Sequence, residues 1–238
     1  QKVRFLQEVG FEQVVLAREL SLNQIAQIKK ETDVVLEYFF HGALCVSYSG
    51  QCYMSQSING RSANRGQCAQ PCRLPYNMVD KNGKIIVSGK HLLSMKDLNL
   101  TDNLEALIDA GISSFKIEGR LKDKDYVANV TAHYRQKIDA ILERRPELKR
   151  ASSGKSLLSF NPNPHKSFNR GFTTYFVNDR QTGNWSLHSP KSIGEPMGTA
   201  VNIGNNSFTI KQTHDIANGD GLCFFDAKGN LHGIRVIR

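Results

Sequence analysis

Three short apolar runs, each ending in a glutamate and followed by polar or glycine-containing chain, constrain the fold of this sequence most. They are Val14-Val15-Leu16-Ala17-Arg18-Glu19, Val34-Val35-Leu36-Glu37 and Phe115-Lys116-Ile117-Glu118-Gly119-Arg120. Continuous apolar runs of this length suit strands covered on both faces, as in parallel sheets. Helical patterns lie between them. Ser21 can cap a helix carrying Leu22, Ile25, Ala26 and Ile28, and Thr101 or Asp102 one carrying Leu104, Leu107 and Ile108 that stops at Gly111. A longer helix is expected from about Asp123 to Glu143, with Tyr126, Val130, Tyr134, Ile138 and Ile141 at helical spacing and Pro146 beyond its end. Strands alternating with helices define βα units.

Only three parallel strands are evident, together with a hairpin pairing Tyr76 to Asp80 with Lys84 to Ser88 around Lys81-Asn82-Gly83. A closed (β/α)₈ barrel takes about 250 residues and eight strands, and the first 150 residues supply roughly half of that. The sequence begins at Gln1, without a methionine and within an amphipathic pattern. The expectation is therefore an α/β fold, the C-terminal half of a TIM-like (β/α) barrel over residues 1–150, in a fragment of a longer protein. From Ala151 the texture changes. Ala151-Ser152-Ser153-Gly154-Lys155-Ser156 reads as a linker. Beyond it, alternating runs at Gly198 to Ile203, Ser207 to Ile210 and Leu222 to Phe225 are separated by Gly204-Asn205-Asn206, Gly219-Asp220-Gly221 and Lys228-Gly229-Asn230. These predict a small antiparallel β-barrel domain within residues 151–238.

Charge narrows the partner class. The 238 residues carry a formal charge of +9, and the basic excess begins after residue 40. Such a balance suits a polyanion. No run approaches the roughly 18 apolar residues of a membrane span, and no apolar signal core follows the polar start, so a cytoplasmic protein without a membrane partner is expected. Oligomeric state is not legible.

Between Glu37 and Asp80 there is no carboxylate, yet the interval holds Arg61, Arg65, Arg73 and four of the five cysteines. Cys45, Cys52, Cys68 and Cys72 are separated by six, fifteen and three residues. Four soft thiolates match tetrahedral zinc or an iron–sulfur cluster, and two disulfides are the competing arrangement. Spacing alone favours zinc. The missing carboxylates and nearby arginines favour a cluster, because thiolate ligands already bring negative charge. Cys223, in an apolar run, reads as a small buried hydrophobe.

The segment Glu37-Tyr38-Phe39-Phe40-His41-Gly42-Ala43-Leu44-Cys45, four residues, then Gly50-Gln51-Cys52-Tyr53-Met54-Ser55 resembles the signature of the peptidase U32 family, the collagenase-like proteases. Gly60-Arg61-Ser62-Ala63-Asn64-Arg65-Gly66, Cys68-Ala69-Gln70-Pro71-Cys72-Arg73, Lys96-Asp97-Leu98, Lys116 to Arg120 and Ser167-Phe168-Asn169-Arg170-Gly171-Phe172 agree with it. The resemblance implies a TIM-like barrel and an RNA pyrimidine hydroxylase with a four-cysteine [4Fe-4S] cluster. The stretches around Arg65 and Asn169 are most similar to the 23S rRNA 5-hydroxycytidine synthase branch, with a tRNA 5-hydroxyuridine hydroxylase as the alternative. It also implies dependence on prephenate, an anionic metabolite. Proteolysis gains no support from the residues, since neither G-x-S-x-G nor H-E-x-x-H occurs. A non-catalytic RNA-binding fragment is the remaining alternative.

Strand ends form the active face of such barrels, which makes Glu37, Glu118 and Arg120 the expected catalytic residues. Substrate contacts are expected from His41, Arg61, Arg65, Arg73 and Lys116, and metal ligation from Cys45, Cys52, Cys68 and Cys72. Lys116 shares a strand face with Glu118, where it can pair or bind an anion. Arg120, Lys116 or Arg73 can receive the carboxylates of a small anion. Phe172, Tyr175 and Phe176 can stack on bases or enter the core. Asp220 reads as a turn residue, and Glu19 as the ion-pair partner of Arg18.

Overall fold

The computed structural model of this chain describes residues 1–205 and 207–237. In chain order its main elements are α1 (Lys2–Glu8), β1 (Gln13–Val15), α2 (Leu22–Lys30), β2 (Val35–Ala43), α3 (Met54–Asn59), β3 (Tyr76–Val79), β4 (Ile85–Lys90), β5 (Asp97–Asn99), α4 (Leu104–Asp109), β6 (Ile112–Ile117), α5 (Lys124–Arg144), β7 (Phe172–Thr173), β8 (Gly198–Val201), β9 (Thr209–Gln212), β10 (Gly221–Phe225) and β11 (Leu231–Arg235). The fold is mixed α/β.

The main sheet is built around β2. This strand pairs in parallel with β1 and with β6, and its last three residues pair antiparallel with β5, which in turn runs parallel to β7. Alternation along β2 sends Leu36, Tyr38 and Phe40 to a covered face, where they join Ile25, Leu104, Leu107, Ile112, Val130 and Tyr134 in the core. Glu37 and Phe39 lie half-buried on the other face, in register with Ser114 and Lys116. One face of the sheet thus holds the helices, and apolar burial there is the main stabilising term.

Local signals act as their chemistry requires. Ser21 and Gln24 exchange side-chain and backbone hydrogen bonds in a capping box at the start of α2. The Asp123 carboxylate accepts from Tyr126 N and caps α5. Beyond α4, Gly111 takes φ +99°, and a Cβ there would meet the Lys29 side chain at 2.3 Å. The β3–β4 hairpin turns on Asp80, whose Oδ1 accepts from the backbone of Asn82 and Lys84.

Several expectations are corrected. The strand at Glu37 does not end there; β2 continues six residues further, because the carboxylate is neutralised in place by neighbours on the sheet. Neither Thr101 nor Asp102 caps α4 through its side chain. Thr101 instead hydrogen-bonds Asn99 and His133, within a 3₁₀ turn that leads into the helix. No closed β-barrel forms at the C-terminal end among the described residues. β8 pairs only with β9 and β10 only with β11, and most of their side chains are exposed on both faces, so these strands enclose no interior. Asn206, in one expected turn, lies outside the described residues. Segments after residue 160 also join the first sheet: β7 pairs with β5, and Trp185 bridges Met95. No helix among the described residues is long and apolar enough to cross a membrane.

Candidate functional site at the cysteine loop

The loop leaving β2 carries Cys45 and Cys52, and the chain returns through Cys68 and Cys72 before β3. Two arginines fasten this loop. Arg18 Nη2 donates to Ser47 O at 2.7 Å, while Glu19 accepts from the backbone and hydroxyl of Ser49. Arg18 also stands 3.7 Å from Glu19, the expected pair. At the other end, Arg73 donates through Nη1 to Ser94 Oγ and Met95 O and through Nη2 to Leu44 O, all within 2.8 Å. Arg73 is therefore a strut that ties the cysteine loop to the sheet, not a cation free for substrate. Burial, reinforced by Arg170, pushes its pKa down from the usual arginine value.

All five cysteines are free thiols. Cys45, Cys52, Cys68 and Cys72 are half-buried, and burial pushes the Cys72 thiol up, with Arg73 opposing and the other three cysteines adding to the rise. Backbone support for sulfur is present, since Gln70 N donates to Cys68 Sγ at 3.3 Å and Ser55 Oγ lies 4.0 Å from it. In kind and number this donor set fits a thiolate-bound metal or cluster. The thiols are not gathered into a closed cage: among the described residues no group of three or more His, Cys, Asp or Glu side chains is placed to hold an ion. Cys223 stands apart and is exposed, contrary to expectation, with its Sγ 3.4 Å from Ile193 O.

Just past β6, Glu118 meets the end of β2 at His41 and Gly42. Gly42 has φ +110°, and a Cβ on it would lie 2.5 Å from Glu118 O, so only glycine permits this approach. Glu118 N donates to His41 O at 2.8 Å, and the Glu118 carboxylate accepts from Arg120 N at 2.6 Å. Arg120 itself is exposed, as are Arg61 and Arg65. Glu37 lies elsewhere, with Oε1 3.6 Å from Lys116 and Oε2 accepting from Gln13 and Ser114. Lys116 thus pairs with Glu37 and not with Glu118. His41 is not at a surface. It is 1% exposed, bonded through Nδ1 to Tyr134 Oη at 3.0 Å, and burial lowers its pKa to about 3. An imidazole kept neutral in the core cannot meet a substrate.

Residues that the sequence reading did not single out complete the site. Asp97 is buried and accepts from Arg170 at both its backbone N (2.8 Å) and Nη1 (3.0 Å). Lys122 and Arg170 both stand over the Phe168 ring, at 3.3 and 4.6 Å from its centroid. Tyr126 Oη reaches Glu118 O. The available signal was the pair of short motifs Lys96-Asp97-Leu98 and Ser167 to Phe172, which suggested kinship but no contact. Of the aromatic residues expected to stack on bases, Tyr175 is buried and stacks on Phe176 at 3.9 Å, while Phe172 meets His165 edge-on.

The fold and site define a mixed α/β protein whose sheet presents a four-cysteine loop beside charged strand ends. The sequence profile of peptidase family U32 matches residues 1–187, and the chain belongs to that family. It is 55% identical over 222 residues to the 23S rRNA 5-hydroxycytidine C2501 synthase of Escherichia coli K12, covering 93% of this chain and 34% of that protein. It is 42% identical over 144 residues to the tRNA hydroxylation protein P1 of Bacillus subtilis, covering 58% of this chain and 34% of the relative. A collagenase of Porphyromonas gingivalis is 34% identical over 186 residues, with 73% of this chain and 44% of the relative covered. The chain thus spans between about a third and somewhat under half of the length of these relatives. No solved structure gives a significant match.

Proposed function

We propose that the protein to which this chain belongs is an RNA pyrimidine hydroxylase that forms 5-hydroxycytidine in 23S rRNA in the cytoplasm. The observation that carries this reading is the likeness to the 23S rRNA 5-hydroxycytidine synthase, which runs through nearly the whole chain and includes the cysteine loop. The parallel strands β1, β2 and β6, each followed by loop or helix, would then be the C-terminal part of a TIM-like barrel.

Cys45, Cys52, Cys68 and Cys72 would hold a [4Fe-4S] cluster, which supplies the redox chemistry that side chains lack for placing oxygen on a pyrimidine ring. The chain's own residues do the rest. Arg18, Glu19 and Arg73 fix the loop against the sheet. Glu118, held by Gly42 and Arg120 N, presents a carboxylate just past the end of β6 that can orient a base or hold a proton. Arg61, Arg65 and Arg120 are exposed cations suited to the RNA backbone, and Arg120 is the best placed of the expected residues to take a carboxylate of prephenate. Access to a base in folded RNA requires that it be splayed out of its stack.

Mass spectrometry of nucleosides from a strain lacking the gene tests the reading. Loss of 5-hydroxycytidine from 23S rRNA is expected. Loss of a tRNA 5-hydroxyuridine instead would assign the second reading, favoured by the tRNA hydroxylation relatives, and unchanged RNA would reject both. Iron and sulfide analysis after anaerobic purification tests the cluster; stoichiometric zinc without labile sulfide would reject it.

A further inference from the structure

Beside the cysteine loop, positive charge exceeds what the fold itself neutralises. Arg170 is 7% exposed and directs Nε to Pro190 O and Nη1 to Asp97, while no described hydrogen bond uses Nη2 and the guanidinium Cζ lies 4.6 Å from the Phe168 ring centroid. Lys122 reaches the same ring, and among the described residues no carboxylate lies within ion-pair distance of its ammonium. Burial is the largest cause that lowers the Lys122 pKa, Arg170 and Arg73 add to it, and Asp97 and Glu118 oppose it, so the ammonium sits where its charge is only partly matched. Arg73 adds a third cation within electrostatic reach. Asp97 and Glu118 offset two of these three charges and leave one over. Phe168 supplies attraction to cations through its ring face but no counter-charge.

The backbone is bent to bring Lys122 there. Leu121 adopts φ +61°, a left-handed conformation costly for a branched side chain, and its side chain is 82% exposed. Lys122 N closes the turn on Gly119 O, and the side chain folds back over Phe168 and Tyr126. The strained turn thus sets a cation with no ion-pair partner among the described residues on the Phe168 ring beside a buried arginine, an excess of positive charge that the ring alone does not cancel. An anion arriving from solvent resolves it.

We propose that Lys122 and Arg170, over the Phe168 ring, form a binding site for one phosphodiester of the RNA backbone. This rests on the RNA reading above. A phosphodiester brings a single negative charge on two free oxygens, one for the ammonium and one for the guanidinium. Exposed Arg120 and Lys124 flank the turn and extend the positive surface along which a strand would run.

The test is binding of the full-length protein to a single-stranded RNA oligonucleotide matching its target, measured across salt concentrations. Lys122→Gln should lower the slope of log affinity against log salt by about 0.7, the value for one phosphate contact on a single strand, and Lys122→Arg should restore it. Replacing phosphates one at a time by uncharged methylphosphonates should weaken wild-type binding at one position and leave Lys122→Gln indifferent there. Equal melting temperatures for the variants exclude misfolding as the cause. Unchanged slope and interference in Lys122→Gln, with wild-type protein binding RNA, would overturn the site and leave the RNA reading standing. No RNA binding by wild type would overturn both. If melting rises with inorganic phosphate in wild type but not in Lys122→Gln, and RNA is not bound, the site takes a free anion and the RNA assignment is wrong.

Discussion

Asp97 holds Arg170 by two hydrogen bonds at once, one to its backbone N and one to its guanidinium, across 73 residues of sequence. The pair joins β5 to the segment entering β7, so it fixes that edge of the sheet. Both side chains are almost fully buried. Removing one partner of such a pair leaves an uncompensated charge, at a cost of about 3 to 5 kcal/mol, whereas replacing both by apolar groups costs much less. Asp97→Asn should therefore lower the melting temperature sharply. Asp97→Leu with Arg170→Met should recover part of that stability while RNA affinity stays low, and calorimetry of both variants checks this.

His41 makes stability depend on pH in one direction. In the unfolded chain its imidazole takes up a proton near pH 6.5, but in the folded protein burial holds it neutral down to about pH 3. Its folded pKa is depressed, so the stability it contributes is complete above about pH 6.5 and is lost as pH falls toward 3. The slope is about 1.4 kcal/mol per pH unit within that window. His133, linked to His41 through Thr101 and Tyr134, is also lowered by burial and acts with the same sign. His41→Phe should melt with a shallower fall between pH 6.5 and 4 than wild type. An identical slope would place the acid sensitivity elsewhere.

What was legible in the sequence was what depends on neighbours along the chain. The Ser21 cap, the start of a long helix at about Asp123 and the hairpin turn around Lys81-Asn82-Gly83 are set within a few residues, and they form as read, while the Gln24, Tyr126 and Asp80 bonds that complete them are seen in the structure. The apolar run from Val34 to Leu36 was legible as a strand, but not its sidedness: it reads as covered on both faces, whereas Val35 is exposed and Leu36, Tyr38 and Phe40 face the core. Glu37 misled because its identity as a strand end depended on Gln13, Ser114 and Lys116, which are distant in sequence. Asp97 with Arg170 and Lys122 with Phe168 were invisible for the same reason. The β8–β9 and β10–β11 hairpins were visible as strands, but whether strands close into a barrel depends on pairings that alternation does not encode.

The grip of Arg73 on Leu44, Ser94 and Met95 can be measured apart from chemistry. An ammonium cannot reproduce three donors in one plane, so Arg73→Lys should cost about 1 to 3 kcal/mol through carbonyls left unpaired. The effect should be local. Hydrogen exchange should quicken across residues 44–74 while amides of α5 remain protected, and uniform acceleration throughout the chain would show that Arg73 supports the whole core instead.

Glu118 and Glu37 separate catalysis from structure within one sheet. Glu118 sits against Gly42 just past the end of β6, and its carboxylate bonds only to Arg120 N among the described hydrogen bonds, an interaction that a glutamine oxygen can repeat. Glu118→Gln should thus fold with near wild-type melting and lose RNA modification if the negative charge serves the reaction. Glu37 has no such opening, since Gln13, Ser114 and Lys116 already surround it. Lys116 is nearly half exposed, so the ion pair is screened, and Glu37→Gln should cost no more than about 1 kcal/mol and leave modification intact. Assays of 5-hydroxycytidine formation beside thermal melts distinguish the two positions. Modification retained in Glu118→Gln would remove that carboxylate from the reaction, and modification lost in a stable Glu37→Gln would show that the open face of β2, not its end, meets the substrate.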